Sequence, residues 1–334
     1  MHLQKTTGSE MTRTDPGSRS PASAFPVAHR PSTLDRVAPL LFVLLWSSSF
    51  IGARLGLRHM SPLWFVALRM VLAAAIMTCV LVASRRPWSL SRAEWMHCAV
   101  VGITTQALLL MPAHVAMTHT EAAPIALIQT LNPLLSALLA WPLLGERLRP
   151  AQLLGLALGV AGVLLILGVK ALNSRAELPG LLATVAGVCA LSGGTLYYRR
   201  FCRDLPPLPA VTAQFIACAV VCMASALLLE SFWTDGDAGA WLGIAWNTIA
   251  VSIGGMALYF LMLTRGTAAR ATVNFYLVPG VTSLLTWALL GEALTPVMVL
   301  GLVISSVGCW LVGRRPAVSA ALPEVCLDNA RIGQ

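Results

Sequence analysis

The chain has 334 residues, of which 57% are hydrophobic and 11% are charged, and its mean hydropathy is +0.75. That much apolar surface exceeds what one soluble core can bury, which excludes an ordinary globular protein. The formal net charge of +9 would suit nucleic acid only if the basic residues gathered on one face. They lie scattered between apolar runs instead, so we expect a lipid bilayer as partner and no nucleic acid.

The two ends of the chain are polar, and a series of apolar runs lies between them. Residues 1–36 are rich in Ser, Thr, Pro and Arg and lack an apolar stretch of signal-peptide length, so they are predicted to form a disordered cytoplasmic tail. Residues 313–334 are predicted to form a second cytoplasmic tail. Because a crossing needs about 20 apolar residues, the runs predict an all-α integral membrane protein with ten transmembrane helices, at 37–57, 62–83, 95–117, 122–144, 151–169, 178–198, 209–229, 241–264, 268–290 and 296–312.

The basic residues indicate the direction of insertion. With both termini cytoplasmic, 18 of the 23 Lys and Arg residues face the cytoplasm, four face outside, and Arg69 lies within the second span. The opposite orientation would invert this bias, against the tendency of cytoplasmic loops to carry positive charge. We therefore predict a multi-pass protein of the cytoplasmic (inner) membrane with both termini in the cytoplasm.

The sequence contains an internal repeat at an offset of 146 residues. At this offset 122–162 aligns with 268–308 without a gap, and 17 of the 41 positions are identical. The identities include Pro133 with Pro279, and a Leu-Leu-Gly-Glu sequence that occurs in both copies. Hydrophobic composition alone does not produce such matches, so the chain is built from two copies of one unit.

The number of spans in each copy determines how the two copies are oriented. Five spans is an odd number, so the second copy must enter the membrane from the opposite side. We predict two inverted five-helix repeats, at 37–169 and 177–312. Inverted repeats of this kind are typical of secondary transporters, in which two pseudo-symmetric halves expose a central site to each side in turn.

Several short sequences in these spans are similar to those of a known family. They are Trp-Ser-Ser-Ser-Phe at 46–50, Pro-Leu-Trp at 62–64 followed by Arg69, the helices with Pro133 and Pro279, and Leu-Leu-Gly-Glu at 143–146 and 289–292. The arrangement resembles the EamA-like family of the drug/metabolite transporter superfamily. The resemblance implies ten helices and transport through a central cavity. It also implies substrates such as amino acids or other small metabolites, commonly exported.

Arg69 is the one formal charge well inside a predicted span. An unpaired charge at that depth costs at least about 2.5 to 3.5 kcal/mol, so the guanidinium requires a partner or water. Two interpretations remain open. Arg69 can contact a substrate carboxylate in the cavity, or it can bind backbone carbonyls or a nearby polar group in a structural role.

Other polar and aromatic side chains within the spans are candidates for the cavity wall. Pro133 and Pro279 lie mid-span, where each frees a backbone carbonyl and is expected to kink its helix. Gln129 and Asn132 share one helix face, and such amides can face a cavity or join two helices by hydrogen bonds. The predicted substrate-binding residues are Trp46, Ser49, Arg69, Gln106, Gln129, Asn132, Tyr198, Tyr259, Asn274 and Tyr276.

Other titratable residues have simpler interpretations. No Asp or Glu lies in the middle of a span, which disfavours proton-coupled export of hydrophobic cations. His97 and His114 lie toward helix ends, where an interface role is expected, although His114 can also bind substrate or couple transport. Glu146 and Glu292 begin loops on opposite membrane faces and are interpreted as turn and helix-cap residues.

Enzyme and cofactor signatures are absent from the sequence. The eight cysteines show no Cys-x-x-Cys spacing, and no hydrolase, metalloprotease or P-loop motif occurs, so we predict no enzyme, cofactor or metal. The inverted repeats predict a secondary transporter that works by alternating access, and the resemblance implies that it exports amino acids or related compounds. The alternative is a non-transporting membrane receptor or scaffold with the same fold. Ten spans can close a cavity within one chain, so a monomer is compatible with this fold.

Overall fold

The computed structural model describes residues 33–144, 150–173, 177–255, 257–258 and 277–313. Within these ranges the chain is helical, as predicted, and contains no strand apart from one isolated antiparallel bridge between Met60 and Thr234. Two π-helical segments are present, π1 (Ile103–Ala107) and π2 (Trp246–Gly255). The α-helices are α1 (Thr33–Leu57), α2 (Pro62–Ala83), α3 (Arg92–Gly102), α4 (Leu108–Met117), α5 (Ala122–Gln129), α6 (Leu131–Leu144), α7 (Pro150–Asn173), α8 (Leu178–Phe201), α9 (Pro207–Leu229), α10 (Ala238–Ala245), α11 (Val278–Leu290) and α12 (Pro296–Gly313).

Among the described residues, seven helical stretches are long and apolar enough to cross a membrane, and they coincide with the first seven predicted spans. Helix α1 begins at Thr33, before the predicted start at residue 37, because a helix can continue beyond its apolar stretch into polar sequence. The rest of both predicted tails lies outside the described residues, as do parts of the predicted eighth and ninth spans. Helices α11 and α12 are apolar but shorter. Large apolar side chains such as Val82 and Leu228 are exposed on the helix surfaces. The protein is therefore a multi-pass, all-helical membrane protein.

Two helix pairs, α2 with α9 and α7 with α12, pack along much of their length. Small residues bring α7 and α12 together: a Cβ built on Gly308 would lie 2.5 Å from the Gly155 carbonyl oxygen. Ser305 Oγ donates a hydrogen bond to the Gly159 carbonyl oxygen at 3.2 Å. Close backbone approach through small residues is a common way for helices to associate in membranes, where the hydrophobic effect does not drive helices together.

Further contacts surround α1 and α8. Helix α1 packs against α10, π2 and α11, while α8 packs against α3, π1, α4, α5 and α6. Both helices approach a neighbour closely at a glycine. A Cβ on Gly243 would lie 2.5 Å from the Gly52 carbonyl oxygen, and one on Gly187 would lie 2.5 Å from the Leu108 carbonyl oxygen. These two positions can therefore hold no larger residue without moving a helix.

In the part of the chain that the structure describes, three of the predicted spans depart from regular α-helix. π1 interrupts the third predicted span, and α10 continues into π2 in the eighth. The fourth is divided into α5 and α6 at Thr130, whose N–H donates to the Leu127 carbonyl at 2.9 Å. Pro133 lies in the first turn of α6 and Pro279 in the first turn of α11, where a missing N–H costs least. Irregular backbone within a span exposes polar groups that a transporter can use.

Two apolar clusters lie on either side of α2. The larger one includes the fully buried side chains of Phe65, Leu127 and Leu181 and joins α2 to α1, α4, α5 and α8. The other joins α2 to α9 and includes Met70 and Phe215. Arg69 lies on the helix that both clusters enclose, so its position is fixed by apolar packing rather than by a loop.

Candidate functional site

The buried cation of α2 is hydrogen-bonded to a neutral partner. Arg69 is only 7% exposed, and its Nη2 donates to Ser252 Oγ in π2 at 3.2 Å. Ser252 Oγ in turn donates to the Asn247 carbonyl oxygen at 3.0 Å. Arg69 Nε has no hydrogen-bond partner, and no carboxylate pairs with the guanidinium, among the described residues. A buried guanidinium with an unused donor is suited to bind an anion.

The wide turns of π2 supply the polar groups around Arg69. Asn247 and Thr248 are fully buried, and Thr248 Oγ1 donates to the Arg69 carbonyl oxygen at 3.4 Å. Asn247 Nδ2 donates to the Gly243 carbonyl oxygen at 3.1 Å, which leaves its Oδ1 without a partner in the described part of the chain. Donors and acceptors therefore lie together on one π-helical segment, a common place for functional side chains.

His114 on α4 contributes a second buried nitrogen. The residue is 4% exposed, and its ring stacks on Phe65, one turn before Arg69 on α2, with 5.7 Å between the centroids. Nδ1 lies 2.8 Å from the Leu110 carbonyl oxygen, so Nδ1 must carry the proton of that hydrogen bond. Nε2 has no partner within the described residues. We call Arg69, His114, Asn247 and Ser252 the polar core.

Two of the predicted site residues lie on α1, which packs against π2. The Trp46 ring is half-buried, 5.4 Å from the Phe42 ring, and a Cβ on Gly255 would lie 3.8 Å from it, so Trp46 lies beside the end of π2. Ser49 Oγ donates to the Trp46 carbonyl oxygen of its own helix at 2.7 Å. Gln106 is half-buried within π1, on the other π-helical segment.

The predicted residues of the fourth and sixth spans lie on α5, α6 and α8. Asn132 Oδ1 accepts hydrogen bonds from Ser192 Oγ on α8 at 3.0 Å and from Ser136 Oγ at 3.3 Å, so it joins α6 to α8. Gln129 is half-buried at the end of α5. Tyr198 packs with the cluster that joins α3, α8 and α9, away from the polar core. The predicted site residues Tyr259, Asn274 and Tyr276 lie outside the described residues.

Arg54 and Glu292 form an ion pair that the sequence did not predict. Arg54 Nε lies 3.0 Å from Glu292 Oε1, and its Nη1 donates to the Met117 carbonyl oxygen at the end of α4. Glu292 Oε2 accepts from the Ala122 N–H at the start of α5 at 3.1 Å. We call this set the Arg54–Glu292 clasp, because it holds together the end of α1, the turn after α11 and the connection from α4 to α5.

The clasp confirms one prediction and adds to it. Glu292 caps a helix, as expected, but the helix is α5 rather than the one that follows it in the sequence. The Glu292 side chain is 8% exposed and that of Arg54 is 26% exposed, so the pair is largely shielded from solvent. The interpretation of Glu146 concerns a residue outside the described part of the chain.

Asn247 and Ser252 of π2 were also not predicted from the sequence, although the internal repeat carried a signal for Ser252. Ser252 aligns with Gln106 at the offset of 146 residues, and Gln106 was a predicted site residue. The same offset aligns Arg54 with Arg200. Asn247 aligns with Val101, so the repeat gives no signal there.

A model of the EamA-like transporter family matches residues 37–168 and 178–314. The chain belongs to the EamA-like transporter family. The resemblance seen in its short sequence motifs is thereby confirmed. As a member of a transporter family, the protein moves small molecules across a membrane. Its buried polar core lies among apolar helices, where a bound solute would be shielded from lipid.

Curated relatives of this EamA-like transporter cover most of its length. The chain is 25% identical over 301 residues to the "Probable amino-acid metabolite efflux pump" of Salmonella typhimurium, covering 84% of this chain and 95% of the relative. It is 26% identical over 286 residues to the "Probable terminal-alkyne amino-acid exporter" of Streptantibioticus cattleyicolor, with coverages of 83% and 93%. An aromatic amino acid exporter of Ancylobacter novellus is 29% identical over 258 residues, with coverages of 73% and 84%.

One solved crystal structure also resembles this EamA-like transporter. It aligns with a TM-score of 0.61 over 86% of this chain and 100% of the other chain, at 23% identity. At that identity the likeness concerns the fold alone. The helical arrangement described above is therefore one that an experimentally determined protein also adopts.

Proposed function

We propose that this transporter moves amino acids or related small metabolites out of the cell by alternating access. The observation that carries the proposal is the family match over both halves of the chain. Three relatives of similar length whose printed names describe exporters or efflux of amino acids or their metabolites support the substrate class and the direction. We further propose that it is a secondary transporter that works as a monomer in the cytoplasmic (inner) membrane.

The proposed architecture is ten spans in two inverted repeats, 37–169 and 177–312. Helix contacts support it, because the pairs α2 with α9 and α7 with α12 bring together spans that correspond to each other in the two copies. The contacts of α1 with α10 and π2 have their counterpart in those of α8 with α3 and π1. In addition, π1 shifted by 146 residues falls on 249–253, inside π2. A pseudo-two-fold axis in the membrane plane would produce all three correspondences.

The proposed orientation assigns each part of the site to a side of the membrane. With both termini cytoplasmic, as the charge bias indicates, the Arg54–Glu292 clasp is at the external end of the bundle. The polar core lies deeper, between that end and the cytoplasm. A formed clasp then corresponds to a transporter closed to the outside, so its release is a required step of export.

For substrate recognition we propose the polar core together with Trp46 and Gln106. Arg69 would bind a carboxylate, because its Nε is unused and its partner Ser252 is a neutral hydroxyl that leaves the positive charge uncompensated. Asn247 Oδ1 is a buried acceptor suited to an ammonium group. Ser49, Gln129, Asn132, Tyr198, Tyr259, Asn274 and Tyr276 remain predicted contacts, and the bonds of Asn132 favour a structural role for that residue.

Flux measurements test the proposed function. The full chain is reconstituted in proteoliposomes, each proteinogenic L-amino acid is supplied in radiolabelled form, and counterflow is measured. We expect saturable flux for at least one amino acid, abolished by Arg69→Gln and retained by Arg58→Gln, which alters an exposed arginine in a turn. Binding without flux would instead support a receptor or scaffold. The absence of both binding and flux for every amino acid would refute the proposed substrate class.

A further inference from the structure

A polar cavity lies beside the Arg54–Glu292 clasp and apart from the polar core. It is lined by Arg54, the turn formed by residues 118–121 between α4 and α5, and Glu177 at the start of α8. Its volume is about 200 Å³. Pockets for drug-sized ligands measure roughly 300–1,000 Å³, so this cavity suits a smaller molecule. We call it the Thr120 cavity.

The lining of the Thr120 cavity carries both signs of charge. Arg54 supplies a cation, while Glu121 and Glu177 supply carboxylates. Thr120 is 5% exposed, and its hydroxyl has no hydrogen-bond partner among the described residues. Buried hydroxyls in proteins are nearly always bonded, so this one indicates a partner that the described chain does not provide.

We propose that the Thr120 cavity binds the zwitterionic group of an amino acid at the external end of the transporter. The ligand carboxylate accepts hydrogen bonds from the Arg54 guanidinium and the Thr120 hydroxyl, and its ammonium group faces the carboxylates of Glu121 and Glu177. This inference rests on the proposed function for its substrate class and for the side of the membrane.

Arg54 belongs to both the Thr120 cavity and the Arg54–Glu292 clasp, so binding in the cavity affects the clasp. The guanidinium already bonds Glu292, at 3.0 Å, and a ligand carboxylate at the same cation is repelled by the carboxylate of Glu292. Binding in the Thr120 cavity therefore weakens the clasp that closes the external end. A substrate reaching the cavity would favour the outward-open state from which it leaves.

The test is calorimetric titration of the purified full chain, with each of the twenty proteinogenic L-amino acids as a separate probe. We expect Thr120→Val to weaken the binding of a recognised amino acid about fivefold and Arg54→Gln at least tenfold. The methyl ester of that amino acid, which lacks the carboxylate charge, should not bind. Glu292→Gln should tighten binding at least threefold because the repelling carboxylate is gone. Arg58→Gln alters an exposed arginine four residues along the chain and should change nothing.

Three results would overturn the inference: no binding by any probe, unchanged affinity in both Thr120→Val and Arg54→Gln, or weaker binding in Glu292→Gln. If Arg54→Gln fails to fold, Thr120→Val and Glu292→Gln decide alone, since neither removes the guanidinium. Flux separates this failure from that of the proposed function. Variants that transport normally with unchanged affinities refute the cavity site only, whereas absence of flux for every amino acid in the unaltered protein refutes the proposed function.

Discussion

The Arg54 guanidinium and the Glu292 carboxylate lie 3.0 Å apart, although 238 positions separate the two residues in the sequence. Arg54 is in the last turn of α1, and Glu292 directly follows the left-handed Gly291 (φ 69°) that ends α11. The carboxylate also accepts from the Ala122 N–H, at the start of α5. One side chain thus holds three distant stretches of the chain, so this end of the bundle can separate only if the ion pair breaks.

Neutralising the clasp should destabilise the protein measurably. We expect Glu292→Gln and Arg54→Gln each to lower the free energy of unfolding by about 1–2 kcal/mol, the range for a charge-assisted hydrogen bond reduced by partial exposure. Because both variants remove the same bond, the double variant should lose clearly less than the sum of the two losses. Thermal unfolding of the detergent-purified variants measures this, and strictly additive losses would show that the two residues are not coupled.

The glycines of the α7 and α12 contact allow a prediction with an internal control. A Cβ on Gly308 would lie 2.5 Å from a backbone oxygen of α7, so Gly308→Ala must push two helices apart and should cost about 1–3 kcal/mol. Gly168, on α7, has nothing within 4 Å of a built Cβ. Gly168→Ala should therefore leave the unfolding temperature unchanged or slightly raised, since alanine favours helix. Equal losses in the two variants would contradict this packing.

Hydropathy and the internal repeat predicted most of the helices because each crossing must be long, apolar and internally hydrogen-bonded, and these demands are local in the sequence. The π-helical segments were not predicted, since one extra residue in a turn leaves no mark on hydropathy. Asn247 and Ser252 were missed for the same reason: their places beside Arg69 depend on the rotation that π2 introduces.

The Arg54–Glu292 clasp was missed for a different reason. Both residues are polar groups at helix ends, which are common in membrane proteins, and their pairing depends on how the two repeats pack. A signal was nevertheless available, because the offset of 146 residues aligns Arg54 with Arg200 just as it aligns Glu292 with Glu146. A basic and an acidic residue repeated at corresponding positions in both copies would have suggested that the two interact.

An exposed ion pair gives a prediction about pH. His59 Nδ1 lies 2.8 Å from Asp235 Oδ2, and this hydrogen bond raises the pKa of His59 above its ordinary value of 6.5. The same bond lowers the pKa of Asp235 below its ordinary value of 3.8. The stabilisation from His59 is therefore fully present below pH 6.5 and is lost as the pH rises through the raised pKa. That from Asp235 is present above pH 3.8 and is lost as the pH falls through the lowered pKa.

Titration of the labelled His59 imidazole by NMR measures this relationship. Asp235→Asn should lower the pKa of His59 toward 6.5. Asp237→Asn should lower it less, because Asp237 Oδ1 is 3.7 Å from Nε2 and makes only the weaker contact. A His59 pKa that is the same in Asp235→Asn as in the unaltered protein would show that the pair does not form in the membrane.

The bond between Arg69 and Ser252 distinguishes a substrate-binding arginine from a structural one. Ser252→Ala removes the partner of Arg69 Nη2, at 3.2 Å, without altering the cation. If Ser252 only orients Arg69 toward substrate, the half-saturation concentration for flux should rise about fivefold, which is about 1 kcal/mol, while the unfolding temperature changes little. Thr78→Val is the matched control, because that hydroxyl bonds only the Ala74 carbonyl of the same helix. A fall in unfolding temperature with unchanged half-saturation would assign Arg69 a structural role.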